Sequence, residues 1–336
     1  MYIKRDCDNE ICVTICCLAY NHESYIRQAL ESFVKQRTNF KYEVIVHDDA
    51  STDRTAEIIK EYEKKYPEII KPIYQAENQY SKKIKITLNY IYPKAKGKYI
   101  ALCEGDDYWI DEYKLQKQVD FMEKHSDYSA IISGAETLNP DGSKGEVVLS
   151  DTNRTISVEE FILAGGGGFS TNTLLYRLKY AKEYPDFHLN CSVGDYPLIL
   201  QLAFCGKVFY LKDKTAVYRI CSNGSWTERV LKSSFGNYEK HYAEINKMLE
   251  EFDIYSNKKY TEAVNTRIEL NNKSILERMR KESWKTFKKP QYAYLKKYTS
   301  KVKWYYYQLY LRFKLVRILA NIRNKINNKL KERENG

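Results

Sequence analysis

The chain contains no uninterrupted apolar run of the roughly 20 residues that a membrane-crossing helix needs. Its opening, Met1-Tyr-Ile-Lys-Arg-Asp-Cys-Asp, lacks the apolar core of an export signal, so cytoplasmic residence is expected. None of the 8 cysteines forms a CxxC pair, which argues against a zinc site or a disulfide framework. Several lie in apolar runs, where Cys acts as a small buried hydrophobe, so reduced thiols are expected. The 5 histidines show no HExxH spacing, and there is no GxSxG elbow. The glycine run 165–168 lacks the Gly-Lys-Ser/Thr of a phosphate loop and reads as a mobile loop or a cover for a second substrate.

What is present suits a folded protein. Of 336 residues, 43% are hydrophobic and 29% charged, enough for one sizeable core and a smaller satellite. The net charge of +11 is unevenly placed: residues 285–336 hold 15 Lys/Arg against 2 Asp/Glu, and the remainder carries −2. A nucleic-acid enzyme spreads basic residues along a groove, and this chain confines its excess to one tail, so no nucleic-acid partner is expected.

The first hundred residues alternate between periods of two and 3.6. Ile11–Cys17, Tyr42–Val46, Ile69–Tyr74 and Tyr99–Cys103 read as strands. Ile26, Ala29, Leu30, Phe33 and Val34 form a helix face, Asp53 caps a helix that Pro67 ends, and 84–92 and 112–125 read as further helices. Later strands are expected at 128–133, Asn172–Tyr176, Val208–Leu211 and Ala216–Arg219, with a helix over Asp195–Cys205. This rhythm predicts an α/β fold with a mostly parallel sheet flanked by helices. Beyond about Thr227 the strand signals stop, so 1–227 reads as one domain and 228–336 as a mainly helical C-terminal region.

Ligands in such sheets gather beyond the carboxyl ends of the strands, where two acidic clusters fall. Glu104-Gly105-Asp106-Asp107 sets three carboxylates within four residues, which repel one another unless a cation or hydrogen-bond donors compensate them. The cluster is either a solvated turn or an oxygen-ligand site for Mg²⁺ or Mn²⁺. Asp48-Asp49-Ala50-Ser51-Thr52-Asp53 follows another strand, where a carboxylate can accept from a nucleobase N–H and Tyr20-Asn21 lies alongside with a ring to stack. Asp195 opens an apolar helix, as an ordinary cap or as a general base whose pKa partial burial would raise.

Together, Cys17-Leu-Ala-Tyr-Asn-His-Glu-Ser-Tyr-Ile, Val46-His-Asp-Asp-Ala-Ser-Thr-Asp-Arg-Thr, Cys103-Glu-Gly-Asp-Asp-Tyr-Trp, Val193-Gly-Asp-Tyr-Pro-Leu and Val217-Tyr-Arg-Ile-Cys-Ser-Asn-Gly-Ser-Trp resemble the family 2 glycosyltransferases over roughly 10–227. The resemblance implies a GT-A-like fold and an inverting, metal-dependent transfer from a nucleotide-diphosphate sugar, with a UDP-sugar favoured by family habit. It implies that Ala19, Tyr20, Asn21, Asp48, Asp49 and Glu104 line the nucleotide, with Tyr20 and Asp49 on the base and Glu104 toward the ribose or phosphates. Asp106, Asp107 and Arg219 would serve the diphosphate and donor sugar, Asp106 as the direct metal ligand of a DxD-type motif with Glu104 a further candidate. Asp195 matches the catalytic base, although Gly194 stands where the family more often has Glu. Cys221 occupies a position where many relatives have His, and a thiol suits a hard cation poorly.

The tail adds a separate expectation. Leu311, Leu315, Ile318, Ile322 and Ile326 form one helical stripe among Arg and Lys, preceded by Trp304 and three tyrosines. That pattern suits an anionic membrane surface, and equally packing on the domain or on a second copy in a homo-oligomer. The resulting expectation is a glycosyltransferase of surface polysaccharide assembly (capsule, O-antigen or exopolysaccharide) at the inner face of the membrane, with a glycan or lipid-linked glycan acceptor. The alternative is a catalytically impaired module that keeps the fold and binds sugar or a partner.

Overall fold

The computed structural model describes residues 10–220 and 233–282. The elements run β1 (Ile11–Ala19), α1 (Ile26–Val34), β2 (Lys41–Asp48), α2 (Thr55–Lys65), β3 (Ile70–Tyr74), β4 (Tyr99–Leu102), β5 (Tyr108–Trp109) and α3 (Lys114–Lys124). They continue through β6 (Tyr128–Leu138), β7 (Lys144–Val147), β8 (Arg154–Ile156), α4 (Val158–Ala164), β9 (Leu175–Arg177), α5 (Asp186–Leu189), α6 (Asp195–Cys205) and β10 (Lys207–Arg219). Two long helices close the described chain, α7 (Phe235–Tyr255) and α8 (Thr261–Glu282).

One ten-stranded sheet carries the fold, in the order β3-β2-β1-β4-β9-β6-β10-β5, with β7 on β6 and β8 on β10. Strands β1, β2, β3 and β4 pair in parallel. β9 enters antiparallel between β4 and β6, and β10 is again parallel to β6. The ends of β1, β2, β4, β6 and β10 therefore share one edge, which is where side chains from distant parts of the sequence meet.

Alternation along β1 explains why this strand is central. Val13, Ile15, Cys17 and Ala19 point to one core with α1, α2 and α3, while Cys16 faces the other. On that second face Ile45, Ile100, Ala130 and Ile132 meet Phe161, Tyr196, Leu200 and Leu202. A strand covered on both sides reads as a continuous apolar run, as Ile11–Cys17 does.

Several expectations shift in detail. The helix expected over 84–92 is a short 3-10 turn at Tyr80–Lys82 followed by a single π-type turn at Thr87–Ile91. Asn172–Tyr176 begins as a 3-10 turn, Thr171–Thr173, and becomes a strand only at Leu175. The two strands expected over 208–219 are one long β10, whose pairing with β6 shifts register around Leu211, Lys214 and Ala216. That irregularity accommodates Lys212-Asp213-Lys214, the polar interruption that splits the apolar signal. Cys16, Cys17, Cys103, Cys191 and Cys205 are free thiols as expected, whereas Cys12 is disulfide-bonded, correcting a uniformly reduced reading.

The expected domain boundary near 227 and the basic tail from 300 lie outside the described residues. The helices beyond that boundary share a core with the sheet: Ile245, Met248, Leu249 and Phe252 recur at i, i+3, i+4 and i+7 on α7 and join the cluster containing Phe187 and Leu198. Phe252 meets Phe187 edge-on at 5.2 Å. From α8, Arg267 donates to the Leu163 carbonyl at the end of α4, where Gly165 turns the chain at φ +71°. A Cβ there would lie 3.0 Å from the Arg267 guanidinium carbon. Among the described residues no helix is long and apolar enough to cross a membrane.

Candidate active site

The edge is built first from two loops that lace together. Asp49 N–H donates to the Ala19 carbonyl at 2.9 Å, joining the ends of β2 and β1. Asn21 N–H donates to Ser51 Oγ at 2.9 Å, and Thr52 N–H returns to Asn21 Oδ1 at 2.8 Å. His22 N–H reaches Thr55 Oγ1, and Glu23 N–H reaches Asp53. Asp53 also accepts from Thr55 N–H at the start of α2, the capping role its position suggested. Asn21 and Ala50 sit at φ +55° and +61°, a left-handed conformation costing non-glycine residues about 1–3 kcal/mol each that the lacing must sustain.

Within this frame the nucleotide-side candidates have distinct states. Tyr20 is 45% exposed, its ring available to a flat ligand. Asp48 is buried and accepts from the Ser51 hydroxyl, and burial holds its pKa above the ordinary carboxylate range. Asp49 is also buried, and its two oxygens accept the backbone N–H groups of Gln79 and Tyr80 at 2.8 and 3.0 Å. One lone pair per oxygen thus already serves the chain after β3. Asn78 donates to the Asp49 carbonyl, so the polar stretch 75–80 forms part of this wall. Sequence reasoning passed over it because a polar stretch between elements looks like any surface loop.

The acidic turn follows β4. Cys103 N–H and Gly105 N–H donate to the Cys16 and Leu18 carbonyls, so the turn continues the sheet before leaving it. Gly105 is required by space: a Cβ would come within 2.9 Å of His22 Nδ1 and 2.8 Å of Ile26 Cδ1. One carboxylate oxygen each from Glu104, Asp106 and Asp107 lies within 4.8 Å of the others. Glu104 reaches solvent, yet the surrounding protein and the charges of Asp106 and Asp195 raise its pKa to about 8.

Asp107 and Arg219 form the rear of this turn. Asp107 is 2% exposed, and burial beside Asp106 holds its pKa well above the usual range. Its oxygens accept from Arg219 N–H at 2.8 Å and Asn172 Nδ2 at 3.0 Å. The Arg219 guanidinium donates to the Asp106 carbonyl and to Gln28 Oε1, between the rings of Tyr25 and Tyr108 at 5.1 and 4.7 Å. Arg219 thereby ties the end of β10 to the acidic turn. Cys221, two residues on, lies outside the described residues.

Asp195 approaches from the other core. It is the first residue of α6, half-buried, with its own carboxylate accepting from Tyr196 N–H at 2.8 Å. Burial raises its pKa. Its charge is felt at Glu104, so the turn after β4 and the start of α6 share one electrostatic site. Tyr196 OH donates to the Ile162 carbonyl, and Gly166 rests against the Tyr196 side chain, which puts the glycine run beside the residue that follows Asp195. Lys85 donates to the Cys191 carbonyl in the loop leading to Asp195, a contact no local pattern announced.

The donor set fits a hard divalent cation: three oxygens, mutually repelling, on a turn whose rear is already anchored. Chemically, the edge offers an exposed ring beside buried carboxylates, a cation-sized acidic cluster, and a proton acceptor with elevated pKa.

This fold and edge define a GT-A-like α/β protein. Residues 14–156 match the model of glycosyl transferase family 2. An uncharacterized protein of Mycobacterium tuberculosis is 37% identical over 217 residues, covering 64% of this chain and 60% of its own length. EpsE of Bacillus subtilis, which bears a glycosyltransferase name, is 34% identical over 158 residues, covering 47% of this chain and 53% of EpsE. The chain thus spans between half and two thirds of these two relatives. In fold it resembles Staphylococcus aureus TarS 1-349 in complex with UDP-GlcNAc, with TM-score 0.57, 17% identity, and coverage of 93% of this chain and 82% of TarS 1-349.

Proposed function

We propose that the chain is an inverting, divalent-cation-dependent glycosyltransferase that moves a sugar from a nucleotide-diphosphate sugar, a UDP-sugar by preference, to an acceptor hydroxyl. The observation that carries this reading is the acidic turn at the strand ends, where one carboxylate oxygen each from Glu104, Asp106 and Asp107 lies within 4.8 Å of the others, and Asp195 adds to the raised pKa of Glu104. Relatives named for cell-envelope polymers, such as the minor teichoic acid biosynthesis protein GgaB of Bacillus subtilis (27% identical over 228 residues, 24% of its length), support a surface-polysaccharide role.

In this mechanism Tyr20 stacks on the base within the wall formed by Ala19, Asn21, Asp48 and Asp49. Asp106, with Glu104 and Asp107, would hold Mn²⁺ or Mg²⁺, which offsets the negative charge developing on the departing nucleoside diphosphate. Asp195 takes the proton of the acceptor hydroxyl. The acceptor oxygen then forms its bond to the anomeric carbon as the anomeric C–O bond breaks, and that electron pair leaves with the diphosphate. Attack from the face opposite the leaving group inverts the centre. The raised pKa of Asp195 makes it a better proton acceptor than an exposed aspartate.

The test is nucleotide release from a panel of nucleotide sugars with Mn²⁺, by wild type and Asp195→Asn. Release by the wild type alone, with Mn²⁺-dependent nucleotide binding kept by both, supports the assignment, and equal release by the two proteins rejects it. Binding without turnover of any donor selects a non-catalytic module instead.

A further inference from the structure

Resting on the reading of Glu104, Asp106 and Asp107 as the cation-binding turn, we propose that Asn172 is the positioning residue of that turn, fixing it to the end of β10 through one buried amide. Asn172 is 1% exposed and stands just before β9, far in sequence from the residues it serves. Its Nδ2 donates to Asp107 Oδ2 at 3.0 Å and to the Val217 carbonyl at 2.9 Å. Its Oδ1 accepts from the Ser170 hydroxyl at 2.7 Å, and its carbonyl accepts from the Trp109 indole at 2.7 Å.

This arrangement has one workable orientation. Turning the amide over would aim its oxygen at a carboxylate and a carbonyl, both acceptors, and its NH₂ at Ser170. With both N–H groups spent, Asn172 holds Asp107 on one side and β10 on the other, and Asp107 then receives Arg219 N–H from the same strand. The Asp107 N–H in turn closes the turn on the Glu104 carbonyl at 3.0 Å. The spacing of the three carboxylates is thus set from behind by a neutral group that adds no charge to the cluster. The support for Asn172 is itself buried: Gln118 donates to the Thr173 carbonyl at 2.8 Å and accepts from Lys114, whose ammonium lies 4.2 Å over the Trp109 ring.

The experiment uses the full chain with Mn²⁺ alone and Mn²⁺ plus UDP as calorimetric probes, alongside melting temperature. Asn172→Asp keeps the shape and replaces both donated hydrogens with an acceptor, and Asn172→Ser is the milder variant should the first fail to fold. The expected result is a loss of about 10- to 100-fold in Mn²⁺ affinity, the usual range for removing a group that orients a metal ligand. Phe252→Leu, a core change on the distant helix α7, serves as a stability-matched control expected to bind normally. Trp109→Phe, which removes the indole donor along with part of a ring that packs on Phe33 and under the Lys114 ammonium, should give a smaller loss in the same direction. Unchanged Mn²⁺ affinity in a folded Asn172 variant overturns the proposal, as does an equal loss in Phe252→Leu. A wild type that binds neither Mn²⁺ nor UDP rejects the cation-site reading, and this role with it, whereas a binding wild type with unaffected variants rejects Asn172 alone.

Discussion

The two halves of the site differ in how their polar groups are satisfied. Around the ends of β1 and β2, the proposed nucleotide side, Asn21, Ser51, Thr52, Asp53 and Thr55 exchange hydrogen bonds among themselves, and Asp49 is occupied by two backbone N–H groups. At the acidic turn, the proposed transfer side, Asp195 adds to the raised pKa of Glu104 and Asp107 is buried beside Asp106, so the negative charge is only partly compensated. The first half is complete in the folded chain. The second carries electrostatic stress that a cation, bound as proposed, would relieve.

The largest expected effect lies at the reacting end. Asp195→Asn should lower transfer by about 10²–10⁴-fold, the range a positioned general base contributes, with nucleotide affinity unchanged when measured by calorimetry. If nucleotide affinity fell as steeply as turnover, the two halves would not be separable. Asp106→Ala should weaken Mn²⁺-dependent UDP binding by at least about tenfold while leaving metal-free binding near its original value. An equal loss with and without Mn²⁺ would merge the halves.

Proton linkage sharpens the contrast. The folded chain holds the Glu104 proton more tightly than the unfolded chain, whose carboxylates titrate near about 4.3. Its contribution therefore makes the cation-free protein lose stability as pH rises from the ordinary carboxylate range toward about 8, with no further change above that. Glu104→Gln should flatten this slope without abolishing it, because Asp107 and Asp195 are shifted the same way. Melting curves between pH 5 and 9 without divalent cations measure it, and a variant with the wild-type slope removes Glu104 from the stressed group. For wild type, Mn²⁺ affinity should rise over the same interval as the proton leaves.

The smallest effect belongs to the completed half. Ser51→Ala removes the acceptor for Asn21 N–H and the donor to Asp48, at an expected cost of about 1–2 kcal/mol in a denaturant titration. Metal affinity should stay at the wild-type value. A metal effect from Ser51 would show that strain passes between the halves.

Much of this was legible locally. Ile11–Cys17 announced the central strand because it is covered on both faces, and the helix Asp195–Cys205 was found with its bounds because an apolar run ended at Gly206. Glu104-Gly105-Asp106-Asp107 stood out because clustered like charge is costly anywhere in a chain. Asn172 and Lys85 were not legible. An Asn in an apolar stretch and a Lys near a turn carry no signal until folding sets each beside its partner. The split reading of β10 failed because Lys212-Asp213-Lys214 breaks the apolar pattern where β10 and β6 shift register.

The amino-acid order by itself determined the parallel strands β1 to β4 and the helix that opens at Asp195, and that acidic clusters follow β2 and β4. These follow from periodicity and short-range repulsion, which act between neighbours along the chain. Only the tertiary structure decided that Asp195 comes within electrostatic reach of Glu104, that Asp49 is spent on Gln79 and Tyr80, and that Asn172 and Arg219 brace the acidic turn. Those relations join residues dozens to more than a hundred positions apart, and they exist only because a sheet with common strand ends gathers them at one edge.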